Sequence, residues 1–85
     1  MDVGKGERRG RLEITAEVLS VAGNGAGKTE IVYKANLNFK RLKRYLDDLE
    51  EKGLLENSGP FYKTTERGRE FLRDYHQMMG WWEKR

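Results

Sequence analysis

Apolar residues recur along this chain at the three- and four-residue intervals that are typical of helices with one buried face. The stretch from Arg11 to Ala22 has a wide apolar face and predicts a first core helix. A glycine-rich run over residues 23–27 ends this pattern and predicts a turn. A second, short helix is predicted over Thr29–Ala35, because Thr29 is a natural N-cap and apolar positions follow it.

The longest regular pattern predicts a third helix, which a turn at residues 36–37 separates from the second. Asn38 is expected to cap its start, and Gly53 is expected to end it in a left-handed conformation. One stripe of apolar residues at a period of 3.6 is expected to face the core. The stripe consists of Phe39, Leu42, Leu46 and Leu49.

Two short apolar segments flank Asn57–Pro60 and predict a β-hairpin. Because Pro60 lacks an N–H group, the second strand is expected to begin after it. Either Thr64 or Thr65 then caps a last helix, which runs towards Trp82. The predicted fold is therefore mostly α with a small β-hairpin. This order is that of a winged helix-turn-helix, with a three-helix core, a wing and a C-terminal helix.

The length of 85 residues predicts one domain. Because the sequence has no cysteine, it can form neither disulfides nor a thiolate metal site. We divide it into a flexible basic N-terminal arm (residues 1–10), the winged helix-turn-helix domain (11–64) and a C-terminal helix (65–85). The arm is either a frayed terminus or a basic segment that touches a DNA backbone or minor groove. No apolar run approaches the roughly 18 residues of a membrane span and no secretory signal is recognisable, so we expect a cytoplasmic protein.

Charge is segregated along the third helix. Its first half is basic and its second half acidic, since Lys40, Arg41, Lys43 and Arg44 precede Asp47, Asp48, Glu50 and Glu51. The helix dipole favours the opposite order, by ~0.3–1 kcal/mol for each charge near a terminus. The basic residues either form a solvated face with the i,i+4 pairs Lys43–Asp47 and Arg44–Asp48, or form an anion-binding end suited to nucleic acid. The net charge of +3 is by itself weak evidence for nucleic acid, so this segregation matters more.

The segment Ala22–Thr29 fits a permissive form of the phosphate-loop pattern, with Ala in place of the first Gly. Such a loop should follow a buried strand, whereas residues 11–22 have helical periodicity, so we predict a turn and no bound nucleotide. His76, the only histidine, has no ligand partner at a suitable spacing, and no catalytic constellation is recognisable. We therefore expect no cofactor, no metal and no enzymatic activity.

Apolar and aromatic residues near the C-terminus are spaced 4, 3 and 4 apart, which is typical of a coiled-coil seam. The residues are Phe71, Tyr75, Met78 and Trp82, with Trp81 beside them. Two adjacent tryptophans are hard to bury in so small a domain, and exposed aromatic clusters are typical of contact surfaces. Three interpretations remain open: a homodimer seam, packing against the first helix of the same subunit, or a site for another protein.

Two short motifs bracket the predicted wing: Lys-Gly-Leu-Leu at residues 52–55 and Thr-Thr-Glu-x-Gly at residues 64–68. Together with Arg11–Ile14, Lys28–Leu37 and Leu42–Leu46, they resemble archaeal winged-helix regulators, a group that includes small dimeric chromatin proteins. The resemblance implies binding of double-stranded DNA by a homodimer, in transcription control or DNA organisation. It places the wing tip at Asn57–Pro60 and recognition positions at Asn38, Lys40, Arg41, Lys43 and Arg44.

The charge pattern and the resemblance together predict a homodimeric protein that binds double-stranded DNA and is associated with the nucleoid. The predicted DNA-binding residues are Lys28, Lys34, Asn38, Lys40, Arg41, Lys43, Arg44, Asn57, Ser58 and Lys63. The predicted dimerisation residues are Phe71, Tyr75, Met78, Trp81 and Trp82. The alternative is a winged-helix module for protein–protein interaction, since fold does not determine function. RNA binding ranks below both, because no aromatic stacking surface of the usual kind is evident.

Overall fold

Four α-helices and three short β-strands make up most of the chain between residues 9 and 83, the part that the computed structural model describes. The predicted N-terminal arm lies outside the described residues except for Arg9 and Gly10. In chain order the elements are α1 (Arg11–Val21), β1 (Ala26–Gly27), α2 (Lys28–Ala35), α3 (Phe39–Glu51), β2 (Leu55–Ser58), β3 (Phe61–Thr64) and α4 (Glu66–Glu83). The predicted fold class is confirmed: the chain is mostly helical, with a hairpin between α3 and α4.

Helices α1, α2 and α3 surround the hydrophobic core. Val18 and Leu19 of α1 and Ile31 of α2 are fully buried in it. Three residues of the predicted α3 stripe are also buried: Leu42, Leu46 and Leu49. Phe39 was expected to complete this stripe, but it is the first residue of α3 and is 55% exposed, so the buried stripe begins at Leu42.

The short strand β1 replaces part of the turn that the glycine-rich sequence predicts. It pairs antiparallel with β3, with Ala26 opposite Tyr62 and Gly27 opposite Phe61, and the sheet order is β1-β3-β2. Two residues are too few for the alternation of a strand to be recognised in a sequence. The strand leads directly into α2, which begins at Lys28 with Gly27 at the N-cap position. The prediction that Thr29 caps this helix is therefore wrong.

Both ends of α3 are capped as predicted. The Asn38 side-chain oxygen accepts a hydrogen bond from the Arg41 backbone N–H at 2.7 Å. At the other end Gly53 has a φ of +74°, and the Leu54 N–H donates to the Leu49 carbonyl at 2.9 Å. This hydrogen bond, between residues five apart in the sequence, is that of a Schellman motif. The motif satisfies carbonyl groups that a helix end leaves without partners.

Thr64, the last residue of β3, is buried although its side chain is polar. Its hydroxyl donates a hydrogen bond to the Leu19 carbonyl at 2.6 Å, and its N–H donates to the Ala22 carbonyl at 3.1 Å. Both carbonyls lie at the C-terminal end of α1, where the last carbonyl groups of a helix have no hydrogen-bond donor within the helix. The wing is thereby attached to the first helix.

Thr65, and not Thr64, caps α4. Its hydroxyl accepts a hydrogen bond from the Gly68 N–H at 3.0 Å and donates one to the Gly53 carbonyl at 2.7 Å. The Thr65 N–H also donates to the Leu54 carbonyl at 3.1 Å. The start of α4 is therefore attached to the segment that follows α3.

Gly68 lies where α4 approaches Leu54 most closely. A Cβ atom at this position would collide with the Leu54 carbonyl oxygen and would lie 2.5 Å from the methyl carbon of Thr64. Because only glycine fits, the steric constraint accounts for the last residue of the Thr-Thr-Glu-x-Gly motif.

The two halves of α4 have different surroundings. Phe71 and Leu72, in the first half, are half-buried against the core. Trp81 and Trp82, near the end, are 74% and 70% exposed. A helix of 18 residues is about 27 Å long, and its last turn, with the two tryptophans, is largely uncovered by the rest of the chain.

Replacing Gly68 by Ala should lower the free energy of unfolding by about 1–3 kcal/mol, because the added methyl group must displace the backbone of Leu54. Gly80→Ala is the matched control, since a Cβ atom there meets nothing within 4 Å. The control should raise the free energy of unfolding by ~0.5–1 kcal/mol through better helix propensity. Urea titrations followed by circular dichroism measure both variants. Equal effects would mean that α4 does not contact the wing junction at Gly68.

Candidate nucleic-acid interface

Helices α2 and α3 are joined by a tight turn, after which the first residues of α3 are exposed. Asn36 ends α2 in a left-handed conformation with a φ of +56°, and Leu37 is buried beneath the turn. The Leu37 N–H donates to the Val32 carbonyl at 3.0 Å, which closes the turn. With Asn38 as the cap of α3, this segment is a helix-turn-helix.

The basic half of α3 is only partly neutralised by carboxylates of the same helix. Lys43 pairs with Asp47 at 3.1 Å, as their i,i+4 spacing predicts. The other predicted pair, Arg44 with Asp48, is not formed, because Asp48 pairs with Lys52 at 2.7 Å. In the Asp48–Lys52 pair the acid is N-terminal to the base, which is the more favourable orientation in a helix.

Three cations of α3 have no ionic partner within residues 9–83: Lys40, Arg41 and Arg44. Lys40 and Arg44 are exposed and one turn apart, so they lie on the same outward side of the helix. Arg41 is half-buried on the flank of that side. Such uncompensated cations in the first turns of a helix add to the positive end of its dipole and attract anions.

Arg11 belongs to the same basic surface although it is far from α3 in the sequence. It lines a depression together with Arg41, Arg44, Tyr45 and Asp48. The predicted DNA-binding residues do not include Arg11, because only the tertiary fold brings the start of α1 beside the middle of α3. No local pattern in the sequence signals this proximity.

The amide of Asn57 closes the tip of the wing. Its nitrogen donates hydrogen bonds to the Gly59 carbonyl at 2.9 Å and to the Phe61 carbonyl at 3.0 Å. Gly59 has a φ of +67°, as the first position of a tight hairpin loop can require. Because β2 extends through Ser58, only Gly59 and Pro60 form the loop, and β3 begins after Pro60 as predicted.

The outward face of the wing contains two of the predicted DNA-binding residues, Ser58 and Lys63. In the register of the hairpin, Ser58 lies opposite Phe61 and Lys63 lies opposite Glu56, and all four are exposed. Lys28 directly follows strand β1, which pairs with β3, so it lies beside the wing. Strand β1, which the sequence did not predict, thus brings the start of α2 to the wing.

Two further basic residues near the helix-turn-helix have partners. Lys34 pairs with Glu30 at 3.1 Å on the surface of α2. Arg9 donates a hydrogen bond to the Asn36 carbonyl at 3.2 Å and pairs with Glu17 at 3.5 Å. Arg9, two residues before α1, is therefore held beside the turn between α2 and α3.

Residues 9–83 contain no group of three or more His, Asp or Glu side chains placed to hold a metal ion. The phosphate-loop-like segment Ala22–Thr29 follows helix α1 and includes a strand of an antiparallel sheet. It therefore lacks the strand–loop–helix order of a nucleotide-binding loop. No helix in the described part of the chain is long and apolar enough to cross a membrane.

A helix-turn-helix followed by an antiparallel hairpin and a closing helix defines the winged helix-turn-helix class. The family model described as winged helix-turn-helix matches residues 8–81, and the chain belongs to this family. Among solved structures, it is similar to Sso10a-2, described as a DNA-binding protein from Sulfolobus solfataricus, with a TM-score of 0.78 and 26% sequence identity. That similarity covers 88% of this chain and 83% of Sso10a-2.

A curated relative has a comparable degree of similarity. The uncharacterized protein MJ0287 of Methanocaldococcus jannaschii is 26% identical over 72 residues, which are 84% of this chain and 74% of the relative. Both matched proteins come from archaea. The resemblance to archaeal winged-helix proteins, predicted from the motifs around the wing, is thereby confirmed.

Replacing Asn57 by Ala should loosen the wing tip, because both hydrogen bonds from its amide are lost. We expect a loss of about 1–2 kcal/mol in the free energy of unfolding and faster amide hydrogen exchange in β3. Ser58→Ala, at the exposed neighbouring position, is the control and should change neither quantity. NMR-detected exchange tests this prediction. Unchanged exchange combined with a loss of DNA affinity would instead make Asn57 a direct DNA contact.

Proposed function

We propose that this protein binds double-stranded DNA, with α3 in the major groove and the β2–β3 wing against the adjacent backbone. The supporting observation is the cluster of cations without ionic partners in the first half of α3: Lys40, Arg41 and Arg44. The description of Sso10a-2 as a DNA-binding protein supports the same function. The corresponding role is non-catalytic, in transcription control or in organisation of the chromosome.

The dimensions and the charge order of α3 suit such docking. A helix with its side chains is about 10–12 Å across, and the major groove of B-DNA is about 12 Å wide. The basic first half is attracted between the phosphate backbones, while the acidic second half, from Asp47 to Glu51, is repelled by them. This opposition favours entry of α3 into the groove with its N-terminus leading.

The proposed contacts differ in kind. Lys40 and Arg44 are exposed on the outward side of α3 and are suited to base edges as well as phosphates. Asn38 and Asn57 support the surface through the cap of α3 and the closure of the wing tip. Surface ion pairs contribute only ~0–1 kcal/mol, so a phosphate can displace the carboxylate from a paired lysine. The proposed backbone contacts are Lys28, Lys34, Arg41, Lys43, Ser58 and Lys63.

Replacing Arg41 and Arg44 together by Ala should weaken duplex binding roughly tenfold to a hundredfold. It should also reduce the slope of log K against log[salt] by roughly two, because two phosphate contacts no longer release counterions. Arg67→Ala with Arg73→Ala is the matched control, since both arginines are exposed on α4 and the change in net charge is the same. Anisotropy of a labelled random-sequence duplex, from low to physiological salt, measures affinity and slope. Equal losses in the two double variants would indicate general attraction by net charge and no recognition helix.

We also propose that the protein is a homodimer that pairs through the second half of α4. Met78, Trp81 and Trp82 are 48%, 74% and 70% exposed, which is unusual for such large apolar side chains. A contiguous exposed apolar surface is typical of a protein–protein contact. Two copies related by a twofold axis would each cover this surface of the other.

The inner part of the proposed seam has a mixed role. Phe71 packs against the core of its own subunit, and its ring stacks on that of Tyr75 with centroids 6.5 Å apart. Both residues also line an open apolar groove with Leu12 of α1 and Met78. The seam would therefore continue from the end of α4 towards the start of α1. A different protein partner on this surface is the alternative, and it corresponds to an interaction module.

Replacing Trp81 and Trp82 together by Ala should convert the dimer into a monomer, because most of the exposed apolar area of the seam is removed. Sedimentation equilibrium over a range of protein concentrations measures the association constant. Tyr33→Ala is the control, because Tyr33 is an equally prominent aromatic, 85% exposed on α2, and lies outside the seam. A wild-type protein that remains monomeric at all concentrations would contradict the homodimer and favour the interaction module.

A further inference from the structure

A depression of about 300 Å³ lies where the start of α1 meets the middle of α3. Its lining consists of Arg11, Arg41, Arg44, Tyr45 and Asp48. A volume of this size is at the lower end of the range for small-molecule sites and is ample for a phosphate group. Three arginines around one concave surface are an unusual arrangement, because like charges repel when nothing lies between them.

The positive charges around the depression are not balanced by carboxylates of the described residues. None of the three arginines has an ion-pair partner within residues 9–83. Among the described residues, Asp48 is the only acid of the lining, and its carboxylate is engaged by Lys52 at 2.7 Å. The depression therefore has an excess of positive charge that an anion would neutralise.

The chemistry of the lining is suited to phosphate in particular. Guanidinium groups present planar pairs of N–H donors that bind two phosphate oxygens at once. Tyr45 adds a phenolic O–H, which can donate to a third oxygen. Arg11 is the first residue of α1, so the positive end of that helix dipole lies on the same side.

Part of this lining is already held in place. Arg41 and Tyr45 both line the depression and are half-buried, so packing against the protein restricts their side chains. Restricting side chains before a ligand arrives reduces the conformational entropy that binding must remove. Arg11 and Arg44 are exposed and complete the site from its two sides.

We propose that Arg11, Arg41 and Arg44 together bind a single phosphate group in this depression. The group belongs either to the DNA backbone beside α3 or to a free phosphoryl compound, since the recognition chemistry is the same. The first source rests on the proposed function of DNA binding, and the second source does not. In either case Arg11, which lies outside the helix-turn-helix, becomes a residue of the ligand site.

The test separates the contribution of the planar guanidinium donors to phosphate binding from the contribution of their positive charge. Arg11→Lys keeps the net charge but loses the planar pair of donors, and Arg73→Lys makes the same change on exposed α4 as the control. Duplex affinity is measured by anisotropy for both variants and for the wild type. In parallel, the side-chain Nε–H signals of the arginines are followed by NMR while inorganic phosphate replaces chloride at constant ionic strength.

We expect Arg11→Lys to weaken duplex binding several-fold to roughly tenfold, with no change in Arg73→Lys. We also expect phosphate to shift the signals of Arg11, Arg41 and Arg44 and not that of Arg73. Shifts with phosphate but no effect of Arg11→Lys on duplex binding would support the site and assign it to a free phosphoryl compound. The same shifts in a protein that binds no duplex would support the site and reject DNA binding.

Two outcomes would overturn the inference. In the first, the wild type binds duplex, the two lysine variants bind equally well and phosphate shifts none of the three arginine signals. That result leaves the proposed DNA binding intact. In the second, neither duplex nor phosphate binds, and both proposals are rejected together.

Discussion

The junction at Thr64 and Thr65 is the constraint that holds the wing and the start of α4 against the other helices. The buried Thr64 hydroxyl bonds to the end of α1, and the Thr65 hydroxyl joins the end of α3 to the start of α4. A hydrogen bond shielded from water is strengthened by its surroundings, and losing one partner leaves the other unsatisfied. With Gly68 in closest contact, these two residues connect three helices and the hairpin. Any displacement here would move the wing relative to α3, and with it the proposed DNA-binding surface.

Helix α3 combines strong local stabilisation with a charge order that opposes it. Its two ends are closed by the Asn38 cap and by Gly53, and its inner face is buried in the core. Its basic first half meets the positive end of its own dipole, at a cost of a few tenths to about 1 kcal/mol for each charge. The caps and the buried leucines offset that cost. A helix arranged in this way gives up some stability in the free protein to gain attraction for a polyanion.

Features encoded within one short stretch could be predicted from the sequence, and features created by distant contacts could not. The periodic helices, the Asn38 cap, the end at Gly53 and the hairpin each have a local signature. Strand β1 exists only because β3 lies beside it, and two residues show no alternation of their own. Arg11 joins Arg41 and Arg44 only after α1 has packed in place. The order of the four helices and the hairpin was therefore accessible from the sequence, whereas strand β1 and the full outline of the candidate site required the tertiary structure.

Helix α4 is anchored at its start and exposed at its end. The number of residues between the two therefore sets the side of the helix on which the exposed tryptophan pair lies. Each residue between Gly68 and Trp81 turns that pair by about 100° and moves it by about 1.5 Å. A substitution on the solvent side of this stretch leaves the direction of the pair unchanged. A single insertion or deletion would turn the tryptophan pair to another side of the helix without altering any residue in it. Among related chains, the length of this stretch should therefore vary far less than its composition.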